Sequence, residues 1–137
     1  ESGLPIDMYG YDVTYSVLYD KEAIERMRRN GNQSSLMVAD LLDTFMYRHN
    51  HAFRWLGLTD VCPIHDACAV AGVIAPGLVT EAAYMHVDIQ TDGKLFDGAT
   101  VCDYEDILGG EKNVRVIFNM NTPGFIDLLV RSGAACK

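Results

Sequence analysis

The sequence predicts an α/β fold, a mixed open sheet flanked by helices, and three observations predict it. Residues 82–91, "AAYMHVDIQT", alternate: Ala83, Met85, Val87 and Ile89 fall on one side, Tyr84, His86, Asp88 and Gln90 on the other. A period of two marks a half-buried strand. Further upstream, Leu36, Ala39, Leu42 and Met46 recur at the spacing of a helix face. Late in the chain, Asp92-Gly93 is a hairpin signal, so the sheet has antiparallel members as well as helical crossovers.

The elements follow in order. "LPIDMYGYDV", residues 4–13, reads as an extended segment with Ile6 and Met8 on one face. Asp20 is placed to cap a short helix over "KEAIERMRRN", and Gly31 to stop it. Ser34 or Ser35 is placed to cap the next helix, which runs to about Gly57. "ACAVAGVI", residues 67–74, reads as a helix because small residues favour close helix packing, and Pro76-Gly77 ends it. "KLFDGATVC", residues 94–102, is the hairpin partner of the alternating strand. A polar stretch with Gly109-Gly110 leads to another strand, "NVRVIFNM". Thr122 is placed to cap the last helix, with Pro123 at its first position and Phe125, Ile126, Leu129 and Val130 as its apolar face.

Composition narrows the function classes. The 137 residues make one ordinary domain, 49% hydrophobic and 22% charged. Net charge is −8 and the isoelectric point about 4.8. Such a chain lacks the basic footprint of a nucleic-acid binder. The one basic cluster, Arg26, Arg28 and Arg29 near Lys21, is interleaved with Glu22 and Glu25 and reads as a solvated helix face. No apolar run reaches the ~20 residues of a membrane span. The start, "ESGLPIDMYG", has no secretory signal pattern and no initiator methionine, which fits a processed or a cut start. The four cysteines form no CxxC pair, and Cys68 and Cys102 sit in apolar segments as buried thiols. A reducing, cytoplasmic location is the simplest expectation.

The chemistry centres on "PIHDACAVAGVIAP", residues 63–76, where His65 and Asp66 stand directly before the small-residue helix. In the plainer reading Asp66 is a helix N-cap, worth about 0.5–2 kcal/mol, and His65 a loop histidine. In the functional reading a helix start at a sheet edge is a ligand site. The carboxylate there binds a hard cation, and the imidazole donates a proton near neutral pH. Consecutive side chains diverge, so each serves a different atom. A metal phosphohydrolase arrangement is a further alternative, with His49 or His51 as first ligand and Asp103 or Asp106 as last. That class is all-helical, and residues 82–120 read as strands.

Four blocks of the chain together resemble the inosine-uridine preferring nucleoside hydrolases, in their C-terminal portion. "GLPIDMYGYDVT" is similar to the family's strand ending in Asp-Val-Thr, here Asp12, Val13 and Thr14. "PIHDACAVAGVIAPGLVT" resembles its His-Asp-Pro-Cys-Ala-Val-Ala block, with Ala67 where proline is usual and Gly72 where a larger residue is usual. Alanine is also a strong helix former, whereas glycine slightly loosens a helix. "HVDIQTDGKLFDGATVCD" resembles its hairpin, and "NVRVIFNMNTPGFIDLLV" its final strand and helix.

The resemblance implies hydrolysis of the N-glycosidic bond of purine or pyrimidine ribonucleosides to base and ribose. It implies calcium as cofactor, with Asp66 as a metal ligand and His65 as proton donor to the leaving base. Tyr47 and His51, one helical turn apart, are its candidates for base-facing groups, the alternative being ordinary surface or packing residues. The implied partners are a small-molecule nucleoside and either further copies of the chain in a homo-oligomer or a missing N-terminal part.

The family's N-terminal aspartate cluster is not in this chain, and calcium takes 6–8 oxygen ligands. Residues 1–137 are therefore expected to be a single segment, the C-terminal part of a nucleoside hydrolase domain, inactive alone. The alternative from another class is a non-catalytic folded remnant that associates through the surface its missing half would cover.

Overall fold

The computed structural model describes residues 3–136. Glu1, Ser2 and Lys137, and with them the reading of how the chain starts, lie outside the described residues.

Strand β1 (Asp7–Tyr9) opens the fold. The extended segment expected over residues 4–13 stops at Gly10, because Tyr11–Thr14 form a one-turn helix, α1. Burial of Val13 and Thr14, 1% and 2% exposed, outweighs the weak helical preference of so short a piece. Strand β2 (Leu18–Asp20) leads into α2 (Lys21–Arg29), where Asp20 accepts a bond from the Ala23 amide as expected. Gly31, at φ 74°, ends that turn of chain.

The longest helix is α3 (Gln33–Ala52). Its cap is Asn32, whose Oδ1 accepts the Ser35 amide at 2.8 Å. The expected caps Ser34 and Ser35 lie inside the helix, and Ser35 is fully buried. Asn32 wins because it alone keeps extended backbone (φ −83°, ψ 158°) at the helix start. A single 3₁₀ turn, Arg54–Leu56, follows, with Gly57 left-handed after it.

Strand β3 (Val61–Pro63) pairs antiparallel with β2 and delivers the chain to α4 (His65–Ile74), the expected small-residue helix. Gly72 on α4 meets the Tyr9 side chain; a Cβ there would lie 1.8 Å from the Tyr9 hydroxyl. The glycine is thus a point of close approach between helix and sheet.

The main sheet has the order β1-β7-β4, with β4 spanning Val79–Met85 and β7 Val114–Met120. β1 runs parallel to β7, with Met8 opposite Val116. β4 runs antiparallel to it, with Ala82 opposite Ile117. The sheet is therefore mixed and open, as expected.

The alternating strand over residues 82–91 is broken at His86. Its second half, β5 (Val87–Ile89), pairs with β6 (Thr100–Cys102) in a separate ribbon. Met85 and Val87 are buried, but Ala83 and Ile89 are exposed, since the two halves belong to different sheets. The Asn113 side chain stands in for a strand at the break, accepting from the Val87 amide at 2.9 Å and donating to its carbonyl at 3.0 Å. The hairpin loop is longer than a two-residue Asp92-Gly93 turn. It closes where the Gly98 amide donates to the Gln90 carbonyl at 2.7 Å, so only Thr100–Cys102 of residues 94–102 are strand.

The last helix is α5 (Thr122–Ala135). Its cap is Asn121, accepting from the Gly124 amide, so Thr122 is its first residue and Pro123 its second. Phe125 and Ile126 are buried, with Leu129 and Val130 packed beside them.

The principal core gathers Tyr19, Met27, Cys62, Cys68, Ile117 and Phe125 between the sheet and α2 to α5. Met85, Val87, Val114 and Val116 form a second cluster. Cys62 and Cys68 are fully buried, whereas Cys102, expected to be buried, is partly exposed. Burial pushes the Cys68 thiol up to about 11. No helix among the described residues is long and apolar enough to cross a membrane.

Candidate active site

Strand β3 ends at Pro63, and Ile64 serves as the N-cap of α4 without a side-chain bond. His65 and Asp66 are therefore the first two residues of the helix. Asp66 is not the cap that the plainer reading expected. Its carboxylate is exposed and accepts no hydrogen bond from the described residues. An unpaired carboxylate on the first turn is free to ligate a cation.

His65 is half-buried and held on one side. Its Nδ1 lies 2.7 Å from the Thr14 hydroxyl of α1. Tyr11 and Tyr15 present their rings edge-on, with centroids 4.8 and 5.1 Å away. Nε2 has no hydrogen-bond partner among the described residues. Burial pushes His65 below its ordinary value, repulsion from His49 adds to that, and Asp66 pulls the other way. A lowered value makes the imidazolium a readier proton donor.

His65 lines an open cavity of about 480 Å³ with Tyr11, Tyr15, Phe45, Arg48, His49, Ala52 and Phe53. Phe45, His49 and Phe53, the last of them the residue that ends α3, form a row at i, i+4 and i+8, with Arg48 and Ala52 beside it. His49 is 5% exposed, and its Nε2 lies 3.2 Å from the Tyr15 hydroxyl. Its ring lies tilted between Phe45 and Phe53, with centroids 5.9 and 4.9 Å away. Such a cavity suits a flat heteroaromatic ring, with aromatic walls and an imidazole edge.

Tyr47 and His51 do sit one turn apart, with ring centroids at 6.5 Å, but the structure does not bring them to His65. They line another cleft, of about 490 Å³, with Lys21, Asp43, Asn50 and Arg54. Two positions along a helix turn a side chain by about 200°, so residues 47 and 49 face opposite ways. The sequence signal for the face that lies beside His65 was the Phe45, His49, Phe53 spacing. Nothing local pointed to Thr14, Tyr11 or Tyr15.

The metal phosphohydrolase arrangement finds no support. Asp103 is buried and accepts the Ile107 and Leu108 amides at 2.9 and 2.8 Å, which is a loop-closing role. Among the described residues no three His, Cys, Asp or Glu side chains gather as a metal site. Asp66 is not part of any such cluster among the described residues.

Residues 1–127 match the inosine-uridine preferring nucleoside hydrolase family. The chain is 39% identical over 129 residues to a pyrimidine-specific ribonucleoside hydrolase of Citrobacter koseri, covering 94% of this chain and 40% of that protein. A Shigella flexneri protein of the same description is 38% identical over 130 residues. The chain thus spans about 40% of the length of the curated relatives it matches. Among solved structures, a purine-preferring ribonucleoside hydrolase from Gardnerella vaginalis superposes with a TM-score of 0.79 at 24% identity, over 97% of this chain and 40% of that one. A plant nucleoside hydrolase superposes at 0.79 with 22% identity, over 98% and 42%. The fold is that of part of a nucleoside hydrolase, and the chain belongs to the inosine-uridine preferring nucleoside hydrolase family.

Proposed function

We propose that this chain is the C-terminal part of a calcium-dependent ribonucleoside hydrolase, to which it supplies the proton donor and one metal ligand. One observation carries the reading. The adjacent His65 and Asp66 split their surroundings, the imidazole facing an aromatic cavity and the carboxylate left without a protein partner. Family membership supports it.

In this reading the nucleobase enters among Tyr11, Tyr15, His49 and Phe53. As the bond from ribose to base nitrogen breaks, its electron pair stays on the base. The His65 imidazolium gives that base the Nε2 proton, and the ring is left neutral. Water adds to the ribose carbon, and its surplus proton leaves to solvent. The aromatic walls orient the base and exclude water from the proton path. Asp66 would hold calcium together with oxygen donors from outside this chain, because 6–8 are needed. Bound calcium would grip the ribose hydroxyls and make the attacking water a better nucleophile.

A second reading has its own observation. No metal-site cluster lies among the described residues, which favours a chain that is inactive alone. Two preparations test both. The verified 137-residue chain is expected to leave inosine and uridine intact with calcium present. The complete protein carrying it is expected to hydrolyse at least one of them, to lose activity on chelation and to regain it with calcium. In that protein Asp66→Ala should weaken calcium dependence. Unaltered calcium affinity in the variant would reduce Asp66 to a helix-start residue, and turnover by the 137-residue chain would overturn the shared-site reading.

A further inference from the structure

We propose that Thr14 is a positioning residue for His65, fixing the tautomer that leaves Nε2 to exchange the proton with the leaving base. The inference rests on the reading of His65 as proton donor and deepens it. Thr14 lies 51 residues from His65 in sequence, yet its Oγ1 is 2.7 Å from Nδ1. Thr14 is 2% exposed, on the one-turn helix α1 that buried Val13 anchors. The threonine side of the contact is therefore shielded from solvent.

A hydroxyl has one proton and two lone pairs. The Tyr11 carbonyl, 3.4 Å from Thr14 Oγ1, is an acceptor only, and in the proposed arrangement it takes the proton. Thr14 then meets Nδ1 with a lone pair, so Nδ1 carries hydrogen in both charge states of the ring. The neutral ring has its free lone pair at Nε2, and the imidazolium has its transferable proton there. An unrestrained neutral histidine favours the other tautomer, with hydrogen at Nε2. Thr14 thus does for this ring what an orienting hydrogen bond at Nδ1 does for acid–base histidines in general.

The direct test is nitrogen-detected NMR of the chain, labelled at the histidine ring nitrogens, at a pH where His65 is neutral. The expected spectrum has a protonated, pyrrole-type Nδ1 and a pyridine-type Nε2. Thr14→Ser should keep that pattern, and Thr14→Val, which matches the shape without the hydroxyl, should reverse or average it. A protonated Nε2 in the parent chain, or an unchanged pattern in Thr14→Val, would overturn the proposal.

In the complete protein, Thr14→Val should lower kcat on a nucleoside by roughly tenfold or more. KM should barely move, a nitrophenyl riboside should be spared, and Thr14→Ser should restore the rate. Equal losses on both substrates would make Thr14 merely structural. A complete protein with no hydrolase activity would remove the proposed function, and the tautomer would still be decided by the spectrum.

Discussion

At Gly72 a single absent methyl group decides how a helix meets a sheet. Read locally, a glycine inside α4 loosens that helix; in place, it lets the Tyr9 ring lie against it. Gly72→Ala is expected to destabilise by about 1–3 kcal/mol, the usual range for overpacking. Gly77→Ala, with nothing within 4 Å of the new methyl, serves as the reference. Urea midpoints that coincide for the two variants would contradict the contact. His86 makes a pH prediction. Its Nδ1 faces the Glu111 carbonyl and its Nε2 the Asp88 carboxylate, each at 2.9 Å. Both are acceptors, so only the doubly protonated ring satisfies them. The Glu111 bond, then Asp88, with Asp103 adding a little, hold the ring above its ordinary value. Its stabilisation should be complete below about pH 6.5, the unfolded value, and fade as pH rises through the higher folded value. The difference in unfolding midpoint between the parent and His86→Gln should accordingly shrink from acid to alkaline pH. A constant difference would contradict it. At this scale His65 and Asp66 were legible because they are neighbours beside a distinctive segment. Thr14, Tyr15 and His49 were not, since tertiary folding brings them there from 16 to 51 residues away.

Element types were legible and element ends less so. Asp20 and Gly31 bounded α2 as read, because each is the one good candidate at its place. At α3 and α5 several capping residues compete within a few positions, and asparagine took the role both times. The two asparagines are not equivalent. Asn121 only caps α5, accepting from Gly124 at 3.1 Å. Asn32 caps α3 and also donates to the Gly133 and Cys136 carbonyls at 2.9 and 3.0 Å, tying the start of α3 to the end of α5. Asn121→Ala should cost about 1 kcal/mol and Asn32→Ala about 2. Equal costs by chemical denaturation would mean that the ties to α5 contribute nothing. The break at His86 had no signature in the alternation, because a period of two says which face a residue takes and not which sheet it joins.

Across the whole molecule, the mixed open sheet and its flanking helices were readable from periodicity, and the candidate site was read from one helix start. Its division into a three-stranded sheet and two ribbons was not, since pairing is chosen by long-range contact. Val73 on α4, Leu95 in the hairpin loop and Ile107 remain 82%, 89% and 77% exposed. At the candidate site, His65 lines an aromatic cavity, and the neighbouring Asp66 carboxylate is exposed.

The most direct test of the central claim is steady-state kinetics of the complete protein and its His65→Ala variant on inosine, uridine and a nitrophenyl riboside, whose leaving group needs no proton. The account predicts a loss of about 10²–10⁴ in kcat on whichever nucleosides the parent hydrolyses, and a much smaller loss on the nitrophenyl riboside. Losses of the same size on all three substrates would contradict it.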